Sequence, residues 1–231
     1  MDGDTHNQLL QNVRDYRSPE AAQHLLQEHP PLVIAGVTAA GKDAVAEYIQ
    51  DNSDWRLVIT STTRKPRPGE KSGEHHWFVD ESEMIKLLDA KLFIEAKLVH
   101  GEHVYGTSIA AYKSVIEAAH KPILRIDIQG VEEITKMSAD VNPVFILPPS
   151  FEVWMERLNK RGAMSHIERI RRLKSAKTEL EEILRNPRFR LVVNRDVSSV
   201  SNEILSGVTD IPLQHRNREL AGQLIEHIRQ Y

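Results

Sequence analysis

The chain has 231 residues, of which 40% are hydrophobic and 27% are charged, and its formal net charge is −3. This length and composition predict one folded domain with inserted subdomains and exclude a mainly disordered chain. The small net charge gives no sign of binding to nucleic acid or to a membrane surface. Because there is no cysteine, disulfides, cysteine zinc sites and thiol catalysis are excluded.

The beginning of the chain is polar and acidic, unlike a signal peptide. No apolar run approaches the ~20 residues of a membrane span. We therefore expect a cytoplasmic protein. Residues 1–29 are predicted to form an amphipathic helical extension, docked either on the core or on a partner subunit. Its apolar docking positions are Leu9, Leu10, Val13, Leu25 and Leu26.

The following residues combine a strand, a glycine loop and a helix. Leu32-Val33-Ile34-Ala35 is a short apolar run typical of a buried parallel strand. After the loop, Val45, Tyr48 and Ile49 have helical spacing. Later strands are predicted at 57–59, 93–94, 98–99, 123–128, 144–147 and 191–193, with helices from Asp80, over 109–119, 151–161, 166–185 and 219–231, and with Gly101 and Gly106 in turns. The alternation predicts an α/β fold with a parallel sheet flanked by helices, and ligands at the carboxyl ends of its strands.

The loop has the spacing of a phosphate-binding loop. It reads Gly36-Val37-Thr38-Ala39-Ala40-Gly41-Lys42-Asp43, followed by Ala44. Its glycines would let successive N–H groups point at a phosphate, and the lysine would meet the outer phosphates. The pattern can arise by chance, but its place between a strand and a helix favours function. Asp43 replaces the usual Ser or Thr, and it either anchors a metal more strongly or repels ATP.

Several further segments form a characteristic series, which is, in order, Thr60-Ser61-Thr62-Thr63-Arg64-Lys65-Pro66-Arg67-Pro68-Gly69-Glu70, Phe93-Ile94-Glu95, Tyr105-Gly106-Thr107, Asp127-Ile128-Gln129-Gly130, Ile146-Leu147-Pro148-Pro149-Ser150 and Arg157-Leu158 with Arg161-Gly162. This series resembles that of guanylate kinases, which are P-loop nucleoside monophosphate kinases. The resemblance implies a kinase domain over 30–207, with a GMP-binding subdomain at 60–108 and a helical lid at 150–185. The helical extensions 1–29 and 208–231 flank it.

The resemblance also implies roles for residues that would bind GMP. Arg64 and Arg67 would hold the phosphate with the Tyr105 hydroxyl, since planar guanidinium groups offer paired donors. Glu95 would accept hydrogen bonds from guanine. Thr60 and Thr107 would complete the base pocket, while Glu70 and Asp127 would order the site. The alternatives are a solvated basic turn and an ordinary surface carboxylate.

Arginines of the two lid helices would close over the phosphates. The residues expected to act in catalysis are Lys42, Arg157, Arg161 and Arg172. Salt pairing within the helices is the alternative, and we expect it for Arg169 and Arg171.

Two further positions depart from the family pattern. His76 stands where the family usually has a phosphate-binding tyrosine, and it could still donate a hydrogen bond. Arg125 stands where the family usually has an acidic residue. We hypothesise that the charge anchoring the metal has moved from position 125 to Asp43.

The predicted function is transfer of the γ-phosphoryl group of ATP to GMP, with Mg²⁺ and without a general base. The acceptor range could include dGMP. The alternatives are a non-catalytic module that binds GMP or a protein, and a related kinase for another phosphorylated acceptor. We expect neither nucleic acid nor membrane as a partner, and the oligomeric state stays open between monomer and homodimer.

Overall fold

The structure is a computed structural model that describes residues 3–99, 101–160 and 165–231. Its helices are α1 (Gly3–Asp15), α2 (Glu20–Glu28), α3 (Lys42–Asp51), α4 (Glu81–Asp89), α5 (Ile109–Glu117), α6 (Ile128–Met137), α7 (Phe151–Lys160), α8 (His166–Arg185), α9 (Val197–Leu205) and α10 (Ile211–Gln230). Its strands are β1 (Leu32–Gly36), β2 (Trp55–Leu57), β3 (Ser61–Thr62), β4 (Trp77–Phe78), β5 (Phe93–Val99), β6 (His103–Ser108), β7 (Lys121–Arg125), β8 (Val144–Leu147) and β9 (Arg190–Val193).

The chain divides into two compact units. Unit 1 comprises Met1–Pro31 and Trp55–Val141, and unit 2 comprises Leu32–Asp54 and Asn142–Tyr231. Both units contain parallel strands with helices, so the predicted α/β class is confirmed.

Unit 1 contains a four-stranded sheet in the order β4-β3-β6-β5. The pairs β5–β6 and β3–β6 are antiparallel, while β2 pairs with β7 in parallel. Helix α1 packs on α4 and β5 because its apolar face, with Leu9 and Val13, joins a buried cluster around Met84, Leu88 and Phe93. The N-terminal extension therefore docks on its own chain, which is the first of the two predicted alternatives.

Unit 2 is built on the parallel strands β1, β8 and β9, with β8 in the middle. Their apolar residues are buried almost completely, as expected for parallel strands covered by helices. Helix α3 packs on α9, and α10 packs on α8 and β9. Among the described residues, no helix has both the length and the apolar character needed to cross a membrane.

Short polar side chains decide where most helices begin. Each of them accepts a hydrogen bond from a backbone amide in the first helical turn, and they are Asp80, Ser108, Asp127, Ser165, Asp196 and Asp210. Such caps satisfy amides that have no partner inside the helix. The cap at Asp80 confirms the helix start predicted there, and Asp210 begins α10 eight residues earlier than predicted, with a proline in its first turn.

Four predictions about local structure are wrong. The strand predicted at 57–59 lies at Trp55–Leu57 instead, as β2. Gly106 lies inside β6, paired with Ala96, rather than in a turn, and a Cβ at this position would come within 2.7 Å of the Phe93 ring. The strand predicted over 123–128 ends at Arg125, and Asp127 begins α6 instead. The two short strands predicted at 93–94 and 98–99 are one strand, β5.

Candidate functional site

The predicted phosphate loop connects β1 to α3 in unit 2. Ala39 and Gly41 adopt φ angles of 60° and 96°, the left-handed region that backbone nests for anions use. A Cβ at Gly36 would lie 2.6 Å from the backbone oxygen of Ile146, so the backbones of β1 and β8 approach too closely for any side chain. The loop is followed directly by the N-terminus of α3, whose dipole favours a bound anion.

The ammonium group of Lys42 lies over this loop. It donates hydrogen bonds to the carbonyl oxygens of Gly36 and of Val37, the latter at 3.1 Å. Asp43 follows in the first turn of α3 and is half-buried. A positive charge and a carboxylate therefore border the loop on its helical side.

Three side chains from distant parts of unit 2 hold the carbonyl groups of the loop. Trp154 donates its indole N–H to Thr38 at 2.7 Å, and Asn194 donates its amide to Ala40 at 2.8 Å. Arg157 reaches the carbonyls of Ala40 at 3.4 Å and of Asn194 at 3.0 Å. A Cβ at Gly41 would overlap the Asn194 amide, so these contacts also require glycine there.

Sequence reasoning missed Trp154 as a loop contact. The only signal was its spacing three residues before Arg157, which places both side chains on one face of α7. Arg157 itself was predicted to close over phosphates, and its bonds to the loop are additional to that role, which stays a prediction.

Arg169, Arg171 and Arg172 lie on α8. Arg172 pairs with Glu168 at 2.8 Å, and Arg171 lies 3.7 Å from the same carboxylate. Arg169 donates to the Tyr231 hydroxyl at 3.0 Å. Arg161 lies outside the described residues. Salt pairing is therefore present for Arg171, as expected, and also for Arg172, whose catalytic role stays a prediction.

A charged cluster in unit 1 gathers the residues predicted to bind the GMP phosphate. Arg64 forms two contacts with Glu70, at 2.9 Å and 2.8 Å, and donates its Nε–H to the Tyr105 hydroxyl at 2.9 Å. The backbone amide of Arg67 donates to Glu70 at 2.7 Å, and the side chain of Arg67 is exposed. Glu70 thus fixes the orientation of Arg64 and the turn that carries Arg67.

This cluster holds Glu70 in its ionised form. Partial burial alone would raise its pKa, but the hydrogen bonds from Arg64 and from the Arg67 amide outweigh that effect and lower the pKa to about 2. The Arg64 guanidinium also lies over the Phe78 ring, 5.5 Å from its centre. It is therefore oriented on several sides, as preorganised phosphate binding requires.

Glu95 lies on β5 and is almost completely buried, with 4% of its surface exposed. Its Oε1 atom accepts hydrogen bonds from the hydroxyl and the amide of Thr107. A Cβ at Gly130 would lie 3.3 Å from its Oε2 atom, so the glycine leaves space beside the carboxylate.

Burial is the main reason why the pKa of Glu95 is raised to about 7. The hydrogen bond from Thr107 and the charge of Lys97 lower it, whereas the charge of Asp127 raises it. A buried carboxyl group that titrates near neutral pH is a common mark of a functional site.

The remaining predicted residues of unit 1 lie around these two clusters. Thr60 and His76 form a hydrogen bond of 2.8 Å, and the His76 ring meets the Tyr105 ring edge-on at 5.5 Å. Asp127 accepts a hydrogen bond from the Gly130 amide and caps α6. Arg125 ends β7 and is half-buried. Unit 1 therefore contains every predicted GMP-binding residue, and unit 2 contains the predicted phosphate loop.

Comparison with known proteins identifies the family. The family model for guanylate kinase matches residues 28–209. A guanylate kinase of Leifsonia xyli is 33% identical over 193 residues, which are 83% of this chain and 73% of that protein. A guanylate kinase of Methylobacillus flagellatus is 38% identical over 152 residues, covering 65% of this chain and 75% of that protein.

A solved structure agrees with these matches. The crystal structure of guanylate kinase from Anaplasma phagocytophilum superposes with a TM-score of 0.60 and 25% identity, covering 79% of this chain and 88% of that one. The resemblance found in the sequence is thereby confirmed. The chain belongs to the guanylate kinase family and, with that family, to the nucleoside monophosphate kinases.

Proposed function

We propose that this protein transfers the γ-phosphoryl group of ATP to GMP, giving ADP and GDP. The observation that carries the proposal is the buried carboxylate of Glu95, held by Thr107 in the same unit as the Arg64–Tyr105 cluster. One group can recognise a base and the other can recognise a phosphate. A nucleoside monophosphate contains both.

Guanine fits the carboxylate better than adenine does. Guanine presents a ring N–H and an exocyclic amine on adjacent atoms, and a carboxylate offers two acceptor oxygens. Adenine presents an unprotonated ring nitrogen at the corresponding edge, which would leave a buried acceptor facing another acceptor. Such an unsatisfied contact costs about 1–3 kcal/mol, and more for a charged group. In this proposal Thr60 and Thr107 complete the base pocket, and Asp127 orders it.

Arg64, Arg67 and Tyr105 would hold the phosphate of GMP. Arg64 is fixed by Glu70 before any ligand arrives, which reduces the conformational entropy lost on binding. The exposed side chain of Arg67 could then close on the phosphate. His76, next to Tyr105, would add a donor in place of the family's usual tyrosine.

ATP would bind to the loop that runs from Gly36 to Ala44 in unit 2. Lys42 would leave its contacts with the loop carbonyls and move to the outer phosphates, while the loop amides hold them. Arg157, Arg161 and Arg172 would neutralise the charge that develops during transfer. The reaction needs positioning and charge neutralisation, and because the attacking phosphate oxygen is already ionised, it needs no general base.

The proposal includes Mg²⁺ bound together with ATP. Among the described residues, no group of three or more histidine or acidic side chains could hold a metal by itself. Mg²⁺ is often held by one or two carboxylates together with substrate phosphates, and Asp43 in the first turn of α3 fits such a role. When bound, the ion would reduce the negative charge on the phosphates.

A coupled assay of ADP release tests the proposal directly. Acceptors to be compared are GMP, dGMP, AMP, UMP and sugar phosphates. We expect turnover with GMP, and substitution Glu95→Gln should raise KM for GMP by about 10- to 100-fold. Equal or better turnover with another acceptor would favour the related kinase, and no turnover with any acceptor would favour the non-catalytic module.

Substitution Lys42→Ala separates the two nucleotide sites. It should lower kcat by about 100-fold or more, because the lysine neutralises phosphate charge, and it should leave the affinity for GMP largely unchanged. The affinities for GMP and for ATP can be measured separately by calorimetry. Loss of GMP binding with normal ATP binding would contradict the assignment.

A further inference from the structure

Strand β5 contains a bulge immediately before Glu95. Phe93 pairs with Ser108 and Glu95 pairs with Thr107, so β5 advances by two residues where β6 advances by one. Ile94 is the extra residue. A bulge of this kind redirects the side chains that follow it and leaves backbone groups without partners in the ladder.

Two residues that follow α1 hydrogen-bond to the backbone of this bulge. The Tyr16 hydroxyl donates to the carbonyl oxygen of Phe93 at 2.7 Å and accepts from the amide of the same residue at 3.0 Å. The Ser18 hydroxyl donates to the carbonyl oxygen of Ile94. Both residues of β5 that precede Glu95 are therefore bound through their backbone by the N-terminal extension.

Packing holds Tyr16 in this position. Tyr16 is 7% exposed, its ring meets the Phe93 ring edge-on at 6.4 Å, and the ammonium group of Lys91 lies 4.8 Å from the centre of its ring. Leu9 and Val13 bury the preceding helix in the same cluster. Burial raises the pKa of Tyr16, the hydrogen bond to Phe93 lowers it, and the charge of Glu95 raises it, so the hydroxyl stays protonated and can donate.

We propose that Tyr16 and Ser18 are positioning residues for guanine recognition, which hold the bulge so that the Glu95 carboxylate meets its ligand. This inference rests on the proposed role of Glu95. Both residues precede the stretch that the family model matches, which begins at residue 28. The extension thus supplies support for the base-reading residue from outside the shared kinase domain.

The effect should be specific for the acceptor nucleotide. Tyr16 contacts the strand that carries Glu95, and both belong to unit 1, whereas the phosphate loop belongs to unit 2. A displaced carboxylate would weaken binding of guanine, whereas binding of ATP would be unaffected. Misplacement of a binding group by as little as about 1 Å can cost up to about 100-fold in rate or affinity.

Substitution Tyr16→Phe tests the proposal, with Tyr112→Phe as the matched control. Tyr112 is also a buried tyrosine of unit 1, and its hydroxyl donates to the carbonyl oxygen of His29 at the end of α2. Both substitutions remove a buried hydroxyl bonded to the backbone, but only one of them acts next to Glu95. KM for GMP, KM for ATP, kcat and the thermal midpoint are measured for the full chain.

We expect Tyr16→Phe to raise KM for GMP by about 5- to 10-fold, with kcat and KM for ATP within about twofold of the parent protein. Tyr112→Phe should lower the thermal midpoint about as much as Tyr16→Phe does, and it should leave KM for GMP unchanged. Ser18→Ala should produce a smaller rise in KM for GMP, and it serves as the test if Tyr16→Phe does not fold. An unchanged KM for GMP, or equal effects of both tyrosine substitutions, would overturn the proposal.

A double-mutant cycle separates this inference from the proposed function. In the background of Glu95→Gln, Tyr16→Phe should have little further effect on KM for GMP, because the residue it positions is already impaired. Additive effects would mean that Tyr16 acts independently of Glu95, and the inference would be wrong. If Glu95→Gln itself leaves KM for GMP unchanged, the proposed role of Glu95 fails.

Discussion

Thr107 donates two hydrogen bonds to a single oxygen atom of Glu95, from its hydroxyl at 2.6 Å and from its amide at 3.1 Å. The two residues lie directly opposite each other on β5 and β6. This arrangement satisfies one carboxylate oxygen and leaves the other beside Gly130, where a side chain would crowd it. Thr107 therefore binds the Oε1 atom of the carboxyl group, while the Oε2 atom lies beside Gly130.

GMP binding should depend on pH through Glu95. The pKa of about 7 means that much of the free protein carries a neutral carboxyl group below neutral pH, and guanine needs the ionised form. We expect the association constant to rise by about tenfold per pH unit below 7 and to level off above it. Calorimetry across this range measures the effect.

The Glu95→Gln variant is the control for this pH profile, because the GMP phosphate also titrates near pH 6. The slope that remains in the variant belongs to the phosphate. Glu70 contributes nothing near neutral pH, since its pKa of about 2 keeps it ionised. Identical profiles for both proteins would contradict the prediction.

The same group should make the folded state less stable as pH rises. The pKa of Glu95 is raised from 4.5 to about 7, so its contribution is fully present below pH 4.5 and is lost as pH rises through 7. The free energy of unfolding should fall by at most a value on the order of 3 kcal/mol. Urea unfolding of the parent protein should show this decline, and Glu95→Gln should remove it.

Substitution Glu70→Gln should weaken GMP binding by about tenfold, because Arg64 loses a charged partner that orients it. Glu74→Gln is the matched control, since Glu74 is exposed and forms a surface ion pair with Lys71. KM for ATP should stay unchanged in both variants. Equal KM values for GMP in the two variants would show that Glu70 does not orient the phosphate-binding arginine.

Gly36→Ala should destabilise unit 2 by about 1–3 kcal/mol or more, since its Cβ would lie 2.6 Å from a backbone oxygen that cannot rotate away. Gly222→Ala is the comparison, and we expect it to stabilise the protein. Gly222 lies within α10, and a Cβ added there would meet only open space, so alanine should stabilise the protein by about 0.5–1 kcal/mol. Denaturant midpoints compare the two, and equal changes would refute the packing argument.

Asp43→Asn tests the hypothesis that the metal-anchoring charge has moved to this position. The variant should need a several-fold higher Mg²⁺ concentration for half-maximal activity, because a neutral amide binds the ion more weakly than a carboxylate. Glu47→Gln is the control, one turn further along α3 and exposed. An unchanged Mg²⁺ requirement would exclude the hypothesis.

Local sequence patterns predicted the parts of the site that depend on residues close together in the sequence. The phosphate loop needs glycines and a lysine at fixed spacing between a strand and a helix, and that spacing is visible in the chain. Glu95 was identified from its flanking segments. Its burial, and the raised pKa that burial causes, were not predicted, because the position of the carboxyl group depends on the bulge at Ile94 and on Gly130, which lies beside it.

Contacts between distant residues explain most of what was missed. Glycine is typical of turns, but Gly106 lies in β6, where the Phe93 ring occupies the space that a side chain would need. The amphipathic pattern of α1 predicted docking on some surface, and nothing in it identified β5 as that surface. Likewise, the spacing of Trp154 three residues before Arg157 did not identify Thr38 as its partner.

The hydrogen bonds to the phosphate loop join residues separated by 116 positions for Trp154 and Thr38, and by 154 positions for Asn194 and Ala40. Closing such long segments of chain is slow and costs entropy, so the loop should reach its final shape late during folding. Binding of a triphosphate would then report that unit 2 has finished folding. By mass action, such a ligand would also protect the newly folded chain against unfolding and proteolysis.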